Sequence, residues 1–261
     1  MLAELVNAFK ASGEKSTLFY WVYAAAYMLH VYFDFSGYSD MAIGLGAIFG
    51  FTFPENFNYP YIAASITEFW RRWHMSLSSW FRDYVYIPLG GSRVKRPRAL
   101  LNIAIVWLLT GLWHGADWNF VMWGIMFAAL LIAEKTLLLG FIKKYRAIGH
   151  IYTLFFVMLC FIMFDASGVK EGFETIAALF SRGSAANTEA LYYLKSYAVP
   201  LTVAALGATP LPKRIKAKLE ATRIGGAIMA IAEPVALAAL LCLCTAYLID
   251  GSFNPFLYFR F

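Results

Sequence analysis

Long uncharged stretches alternate with short polar islands along the chain, and this pattern predicts membrane helices. The apolar runs lie at about 17–28, 99–112, 118–133, 150–164, 191–209 and 225–249. Their lengths approach the ~20 residues that cross a bilayer or fall somewhat short of it, so several are expected to tilt, kink or re-enter. The pattern predicts an all-α, polytopic membrane helical bundle of about six to seven membrane segments, in a single domain over residues 1–261.

Charge is scarce and unevenly placed, which supports a membrane protein and predicts its orientation. Of the 261 residues, 61% are hydrophobic and only 15% are charged, far from the balance of a soluble domain. The net charge is +6, and Lys and Arg cluster at 93–98, 143–146 and 213–223. The positive-inside rule places the loops 90–98, 140–147 and 211–224 in the cytoplasm, and the segment after His114 at the outer face. Membrane lipid is the partner that this composition implies, and no nucleic acid is expected.

The segment 65–88 predicts an amphipathic or re-entrant helix, or a pair of helices, ahead of the first basic cluster. Ser65 and Glu68 form a capping box at its start. At about 100° per residue, His74 falls at the polar edge of the helix, near Ser78 and Arg71. The apolar face of the predicted helix contains Ile66, Trp70, Trp73, Leu77, Trp80, Phe81 and Tyr84. Because the segment leads directly into a cytoplasmic loop, His74 is expected near the inner face of the membrane.

A second polar island, HVYFDFSGYSDMAIGLGAIFGF, lies inside an otherwise apolar helical pattern. Ser36, Asp40 and Gly44 recur every four residues, which is typical of tight packing between membrane helices. Asp34 and Asp40 exceed what packing requires, because a carboxylate within a membrane is costly unless it is paired or faces water. They are therefore candidates to line a cavity or to pair with an arginine.

The stretch GLWHGADW, residues 111–118, permits two interpretations of His114. In one, the imidazole is simply hydrated at the membrane interface, where tryptophans such as the two that flank it are enriched. In the other, His114 is a catalytic base at the mouth of a cavity, with neighbouring glycines that leave the ring accessible. A histidine with a pKa near ~6.5 can take the proton of an attacking hydroxyl at neutral pH. Asp117 is then close enough in sequence to orient the ring.

Four stretches of the chain match a known family. They are YFDFSGYSDMAIGLG (32–46), FPENFNYPYIAASITEFWRRWHMSLSSWFRDYVYIPLGG (53–91), GLWHGADWNFVMWG (111–124) and NPFLYFRF (254–261). Together they resemble the membrane-bound O-acyltransferase family, and within it the alginate O-acetyltransferase-like branch. Members of that family usually carry several more helices before the FDFSGYSD segment, so the resemblance implies that this chain is the C-terminal portion.

The resemblance implies a bundle of membrane helices around a central tunnel, in a multi-pass protein of the bacterial inner membrane. Such a protein transfers an acyl group, here expected to be acetyl, from a cytoplasmic thioester to a hydroxyl at the outer face. The expected donor is acetyl-CoA or an acylated carrier, so an acyl carrier protein is a candidate partner. The expected acceptor is an exported or cell-surface polysaccharide, or a periplasmic relay acyltransferase. No bound cofactor is implied.

The resemblance also assigns roles to residues. The WHG motif places the catalytic histidine at His114, and the RRWH motif places a second characteristic histidine at His74. Guanidinium groups in the same region are suited to the phosphates of coenzyme A or of a phosphopantetheine arm, although positive-inside bias alone also predicts arginines there. The candidate substrate-binding or donor-binding residues are Arg71, Arg72, Ser78, Arg82, Asp34, Asp40 and Asp117. No Gly-x-Ser-x-Gly elbow, P-loop or Cys/His spacing suggests a covalent serine, nucleotide or metal site.

Two alternatives stay open at the level of sequence. One is D-alanyl transfer to teichoic acid by a related branch, which the alginate-type FPENFNYPY and C-terminal stretches make less favoured. The other is a non-catalytic fragment or scaffold subunit of a polysaccharide export complex. The catalytic hypothesis adds one geometric expectation. The residues from Arg98 to His114 rise ~24 Å if helical, so His74 and His114 are expected to flank the membrane barrier from opposite sides.

Overall fold

The computed structural model describes residues 1–181 and 183–249. The α-helices are α1 Leu2–Ala11, α2 Thr17–Ile48, α3 Ile66–Trp70, α4 Met75–Phe81, α5 Arg96–His114, α6 Trp118–Ala133, α7 Leu139–Lys144, α8 Arg146–Asp165, α9 Val169–Ala178, α10 Thr188–Ser196, α11 Ala198–Gly207, α12 Leu211–Glu220 and α13 Arg223–Ile249. A 3-10 turn occupies Pro60–Ile62, and π-helical turns occupy Arg82–Tyr86 and Glu134–Leu138. These ranges contain no strand, which confirms the predicted all-α class. The motif at 254–261 lies outside the described residues.

Three helical stretches of the described chain are long and apolar enough to cross a membrane. They are Trp118–Lys144, Arg146–Asp165 and Arg223–Ile249, and they contain three of the predicted apolar runs. The runs 17–28 and 99–112 fall within the helices α2 and α5. The run 191–209 is not one helix, because α10 ends at Ser196 and α11 begins at Ala198. Pro200 explains the break, since its ring conflicts with the carbonyl four residues earlier.

By their contacts, the residues divide into two compact units, Met1–Ala204 and a second that begins at Ala205. The single domain expected over 1–261 stays a prediction. In the first unit α5 packs against α6, α6 against α8, and α2 against both α1 and α8. In the second unit α12 packs against α13. The segment 211–224, expected to be a loop, is mostly helical, because α12 occupies Leu211–Glu220 and α13 begins at Arg223.

Two glycines allow α5 and α6 to pack with their backbones in contact. A Cβ added to Gly124 would lie 2.4 Å from the carbonyl oxygen of Trp107, and one added to Gly111 would lie 2.6 Å from that of Phe120. Any side chain at either position would push the helices apart. The role of Gly111 is therefore close helix packing, rather than the access to His114 that the sequence suggested.

Aromatic side chains join α3, α5, α6 and α8 into a buried core. The ring of Trp70 lies 4.5 Å from that of Trp107 and 4.9 Å from that of Phe127, both in edge-to-face geometry. Trp123 meets Phe127 at 5.2 Å in the same geometry. On the α8 side, Phe161 packs against Phe69 of α3. Such pairs add to the hydrophobic gain from burying the rings, so the core holds the short helix α3 against the longer ones.

The segment 65–88 is a re-entrant excursion beside α5. It passes the middle of α5, where Trp70 meets Trp107, and reaches the C-terminal end of α5, where His74 meets Trp113. It then returns toward the start of α5, where Asn102 donates to the carbonyls of residues 89 and 91 at 3.1 and 3.2 Å. The segment therefore runs to the end of α5 and back, and its position relative to a membrane stays a prediction.

The segment 65–88 is not one continuous helix. Ser65 caps α3 as predicted, accepting the Glu68 N–H at 2.9 Å. The helix then breaks, because His74 adopts a left-handed conformation with φ 43° before α4 begins. The helical period restarts there, so the expected apolar face forms only in part: Ile66, Trp70, Trp73 and Phe81 are buried. Trp80 and Tyr84, expected on that face, are 51% and 69% exposed.

The polar island of α2 is only partly packed. Ser36 and Ser39 are buried, and the Ser39 hydroxyl accepts from the Asn56 amide at 3.0 Å. Asp40 and Gly44, expected on the same contact face as Ser36, are exposed. A Cβ on Gly44 would meet no atom within 4 Å, so the described structure makes no tight helix contact at this glycine.

Candidate active site

His114 is the last residue of α5, and a hydrogen bond fixes the orientation of its ring. Its Nδ1 lies 2.7 Å from the carbonyl oxygen of Thr110, about one turn earlier in the helix. A carbonyl oxygen only accepts hydrogen bonds, so in the neutral ring Nδ1 carries the proton and Nε2 keeps its lone pair. A nitrogen in that state accepts a proton, so the geometry suits a general base.

Aromatic rings surround the imidazole of His114. Its centroid lies 4.7 Å from that of Trp123, 4.9 Å from that of Trp113 and 5.5 Å from that of Phe164. Trp123 is buried, and its indole N–H has no hydrogen-bond partner among the described residues. His114 itself is half-buried and Trp113 is 52% exposed, so these rings shield only part of the imidazole.

His74 lies between α3 and α4, buried and close to the same end of α5. Its ring meets Phe35 of α2 at 4.6 Å and Trp113 at 5.9 Å. The left-handed backbone is unusual for a residue other than glycine. Asn56 braces the segment that follows, because its carbonyl accepts the Met75 N–H at 2.9 Å and its side chain accepts from Ser76.

The two histidines lie together rather than on opposite sides of the membrane. Both imidazole centroids lie within 6 Å of the Trp113 indole centroid. A hydrocarbon core is about 30 Å thick, so this spacing excludes the expected arrangement across the barrier. The expectation was wrong because it treated 65–88 as a surface element beside the cytoplasmic loop, whereas the re-entrant path carries His74 to the end of α5.

A cavity of about 1310 Å³ borders α3, α4, α5 and the helical stretch 131–146. Thr110, which orients His114, lines the cavity, whereas His74 and His114 are absent from its described lining. Basic side chains are prominent in its wall, namely Arg71, Arg82, Lys135, Lys143 and Arg146. A cavity of this size with convergent basic groups is suited to an elongated anionic ligand.

The basic groups of the wall differ in how they are paired. Arg82 forms an ion pair with Asp83 at 2.7 Å, and Arg146 lies 3.7 Å from Glu68. Arg71, Lys135 and Lys143 have no carboxylate within salt-bridge distance in the described part of the chain. The unpaired cations remain available to a ligand.

Glu68 organises the edge of the cavity. Its carboxylate accepts the Ala64 N–H at 3.0 Å and the Arg72 guanidinium at 3.0 and 3.2 Å. Burial raises the pKa of Glu68, but the Ala64 and Arg72 hydrogen bonds and the charges of Arg72 and Arg146 outweigh burial and hold that pKa below its usual range. Arg72 also donates to the carbonyl of Asn58 at 3.1 Å. Arg72 therefore braces Glu68 and does not line the cavity.

The histidines, the cavity and the helices that hold them all fall within one family match. Residues 7–170 match the model of MBOAT, the membrane-bound O-acyltransferase family. The chain belongs to the membrane-bound O-acyltransferase family. It is accordingly a membrane protein. The family and the membrane class that the sequence predicted are both confirmed.

Individual relatives support the alginate O-acetylase-like branch of the acyltransferases. The chain is 38% identical over 290 residues to a probable alginate O-acetylase, AlgI, of Azotobacter vinelandii. The alignment covers 100% of this chain and 58% of the relative. It is 37% identical to a peptidoglycan O-acetyltransferase of Helicobacter pylori, over 61% of this chain and 31% of the relative. It is 39% identical to a teichoic acid D-alanyltransferase of Bacillus subtilis, over 42% of this chain and 30% of the relative. The chain spans about half the length of the alginate O-acetylases it matches over nearly its whole length.

The structure of this O-acyltransferase family member separates the candidate residues into two groups. Arg71, Ser78 and Arg82 line the cavity. The carboxylates Asp34, Asp40 and Asp117 are absent from its described lining. Asp34 is half-buried in α2, and Asp40 is exposed. Asp117 is exposed at the N-cap of α6, and the Thr110 carbonyl, not this carboxylate, holds the His114 ring.

Glu134 is a buried carboxyl group that sequence analysis missed. It lies at the end of α6, is only 1% exposed and lines the cavity. Its oxygens accept the N–H groups of Ile66 and Thr67 and the Thr67 hydroxyl. The first N–H groups of a helix have no partner within it, so Glu134 satisfies those of α3. The available signal was a single carboxyl group at the end of the apolar run WNFVMWGIMFAALLIA.

Proposed function

We propose that this protein is a membrane-bound O-acyltransferase that moves an acetyl group from a cytoplasmic thioester to a hydroxyl at the outer face. The observation that carries the proposal is the His114 ring, which is oriented by the carbonyl of Thr110, a residue that lines a basic cavity although His114 itself does not. That arrangement offers a proton acceptor hydrogen-bonded to a residue that borders a space for an anionic donor. Family membership and the names of the relatives support the same reaction class.

The proposed chemistry uses His114 as a general base. Nε2 takes the proton of the acceptor hydroxyl as its oxygen attacks the thioester carbonyl carbon. The tetrahedral intermediate collapses, the C–S bond breaks, and the thiolate takes the proton back from the imidazolium. The products are an O-acyl ester and a free thiol, and the histidine returns to its starting state. The Thr110 carbonyl stabilises the imidazolium by accepting the Nδ1 proton in a hydrogen bond throughout.

His74 acts as a positioning residue in this proposal. Its ring shares the Trp113 indole with His114 and also contacts Phe35 of α2. It therefore connects the re-entrant segment, α2 and the end of α5 near the reacting groups. A change at this position displaces the thioester relative to His114, and small misplacements lower rates strongly.

The cavity is the proposed binding site of the thioester donor. Coenzyme A and a phosphopantetheine arm both carry phosphates on a long flexible chain, and both fit a large space with basic walls. Arg71, Lys135 and Lys143 are the proposed phosphate ligands, because they are unpaired. Arg82 and Arg146 contribute positive potential beside their carboxylate partners.

The proposed setting is a bacterial inner membrane, with a multi-pass topology and membrane lipid around the helices. The acceptor we propose is an exported or cell-surface polysaccharide, or a relay acyltransferase that passes the group on. An acyl carrier protein is the second candidate donor after acetyl-CoA. The similarity to alginate O-acetylases over nearly the whole chain supports the polysaccharide acceptor.

D-alanyl transfer to teichoic acid is the second candidate function. It uses the same attack of a hydroxyl on a thioester, and a teichoic acid D-alanyltransferase shares 39% identity over 42% of this chain. The alginate-type relatives match a larger share of the chain, which favours acetyl transfer. A scaffold role without catalysis predicts that loss of His114 has no effect on transfer.

Replacing His114 tests the proposed reaction. In the full-length protein in native membranes, we expect His114→Ala to lower the transfer of radiolabelled acetyl groups by roughly 10² to 10⁴, because the general base is lost. His150→Ala is the matched control, since its Nδ1 also contacts a backbone carbonyl, that of Ala63 at 3.1 Å. Normal membrane insertion of both variants is checked alongside. Wild-type transfer by His114→Ala would remove His114 from the mechanism and favour the scaffold role.

A further inference from the structure

Helix α12, Leu211–Glu220, is amphipathic and carries an exposed apolar stripe. Leu211, Ile215 and Leu219 recur every four residues, so their side chains lie on one face. They are 46%, 50% and 47% exposed, and this face is not covered by other described residues. Three large apolar side chains in a row form an exposed patch of the kind that marks a contact with a membrane or another protein.

The remainder of α12 is strongly basic. Lys213, Arg214, Lys216 and Lys218 occupy the rest of the helical circumference. At about 100° per residue, Lys216 and Lys218 flank the apolar stripe on its two sides. Long lysine stems extend along apolar surface while their ammonium groups reach toward polar surroundings, which is the arrangement of helices that lie at a membrane surface.

The contacts of α12 with α13 hold it close to a candidate membrane span. Lys216 forms ion pairs with Glu220 and with Glu233 of α13. The connection is short, since α13 begins at Arg223, and it is tight, because a Cβ on Gly225 would lie 2.2 Å from the Leu219 carbonyl oxygen. Where α13 enters a bilayer, α12 is therefore near the headgroups.

We propose that α12 lies at the membrane interface and binds anionic phospholipid headgroups. Its apolar stripe enters the boundary between headgroups and acyl chains, and its basic side chains contact the phosphates. The charge selects the occupant, because anionic lipid complements Lys213, Arg214 and Lys218, which form no ion pair among the described residues, whereas an apolar protein surface does not. The proposal is independent of acyl transfer and adds a lipid-recognition surface to the second unit of the protein.

Site-specific fluorescence in vesicles tests the proposal. The full-length protein, with the exposed Cys242 and Cys244 changed to serine, carries one fluorophore on Ile215→Cys or on Ala217→Cys. Ala217 is the matched control, because it is exposed on the same helix but about 200° away from Ile215. Vesicles contain phosphatidylcholine with or without phosphatidylglycerol. Quenchers are acrylamide in water and nitroxide-labelled lipid in the bilayer.

In vesicles with phosphatidylglycerol we expect the label at 215 to be shielded severalfold from acrylamide and quenched by the nitroxide lipid, and the label at 217 to show the reverse. Combined replacement of Lys213, Arg214 and Lys218 by Gln should expose the label at 215 to acrylamide. Replacement of the exposed lysines Lys170 and Lys195 by Gln should leave it shielded.

Three results would overturn the proposal. Equal acrylamide quenching at 215 and 217 would show that the stripe does not enter the membrane. Equal shielding with and without phosphatidylglycerol would show insertion without recognition of anionic headgroups. Shielding at 215 that rises with the ratio of protein to lipid would assign the stripe to a second copy of the chain instead.

Discussion

At the scale of single residues, His114 was predictable as a candidate base but its orienting partner was not. The motif GLWHGADW isolates one imidazole beside glycines and tryptophans, and it drew attention to Asp117 as the nearest carboxylate. The structure instead uses the carbonyl of Thr110. A backbone carbonyl has two lone pairs and is present at every position, so a sequence gives no signal that one of them accepts a side-chain proton.

Glu134 shows a different limit of sequence analysis. A carboxyl group at the end of an apolar run indicates a buried partner, because an unpaired charge there is costly. Nothing in the spacing shows that the partners are backbone N–H groups about seventy residues earlier in the chain. Such pairs depend on how α6 packs against α3, which is a property of the fold.

Replacing Glu134 tests its proposed anchoring of α3. Glu134→Leu leaves the N–H groups of Ile66 and Thr67 without an acceptor, at ~1–3 kcal/mol for each buried group. We expect a lower midpoint of thermal unfolding in detergent and reduced acetyl transfer, because α3 carries the wall of the cavity. Glu134→Gln keeps one carbonyl acceptor and should lose less. Glu174→Leu, at a largely exposed carboxylate on α9, should behave as wild type. A wild-type midpoint for Glu134→Leu would contradict the anchoring role.

At the scale of elements, the sequence predicted which segments are helical better than how they pack. The apolar runs of α6, α8 and α13 and the cap at Ser65 were all confirmed. The apolar face predicted for 65–88 was confirmed only in part, because a projection at a constant angle per residue assumes an unbroken helix. The left-handed conformation of His74 resets the helical phase and turns the segment back along α5.

The close contact between α5 and α6 predicts that a side chain at Gly124 destabilises the protein. Gly124→Ala places a Cβ 2.4 Å from the carbonyl oxygen of Trp107, which belongs to a backbone that cannot move alone. We expect a destabilisation of about 1–3 kcal/mol, the usual cost of overpacking, measured as a lower thermal midpoint in detergent. Transfer should fall as well, since His114 ends the displaced helix.

Gly140→Ala is the matched control for that substitution. It is also a helical glycine of the same candidate span, but a Cβ there meets no atom within 4 Å. Its midpoint should stay unchanged or rise slightly, because alanine favours helix. Equal effects of the two substitutions would show that helix propensity, and not the close approach of α5 and α6, accounts for the loss at Gly124.

At the scale of the whole molecule, the all-α membrane class followed from composition and hydrophobic runs, and the MBOAT family followed from the motifs. The relative depth of the two histidines did not follow from either. Sequence distance along α5 suggested separation across the membrane, whereas the re-entrant segment brings His74 to Trp113 and so to His114. A linear chain shows where a span begins and ends but not where a segment between spans turns back.

The orientation of the chain is the last prediction, and it rests on the three basic clusters. Ser92, Ala147 and Ala221 are exposed residues in the predicted cytoplasmic segments, and replacing them by Cys removes no basic side chain. In intact cells expressing the full-length protein, with Cys242 and Cys244 changed to serine, an impermeant maleimide should leave all three unlabelled.

Ala116→Cys supplies the opposite result in the same cells. This exposed residue lies two positions after His114, at the predicted outer face, and should react readily. Opening the cells by detergent should then label the three cytoplasmic positions, which shows that failure to react came from sidedness and not from burial. If Ala116→Cys stays unlabelled while Ser92→Cys reacts in intact cells, the orientation is reversed, and the acceptor would have to reach His114 from the cytoplasm.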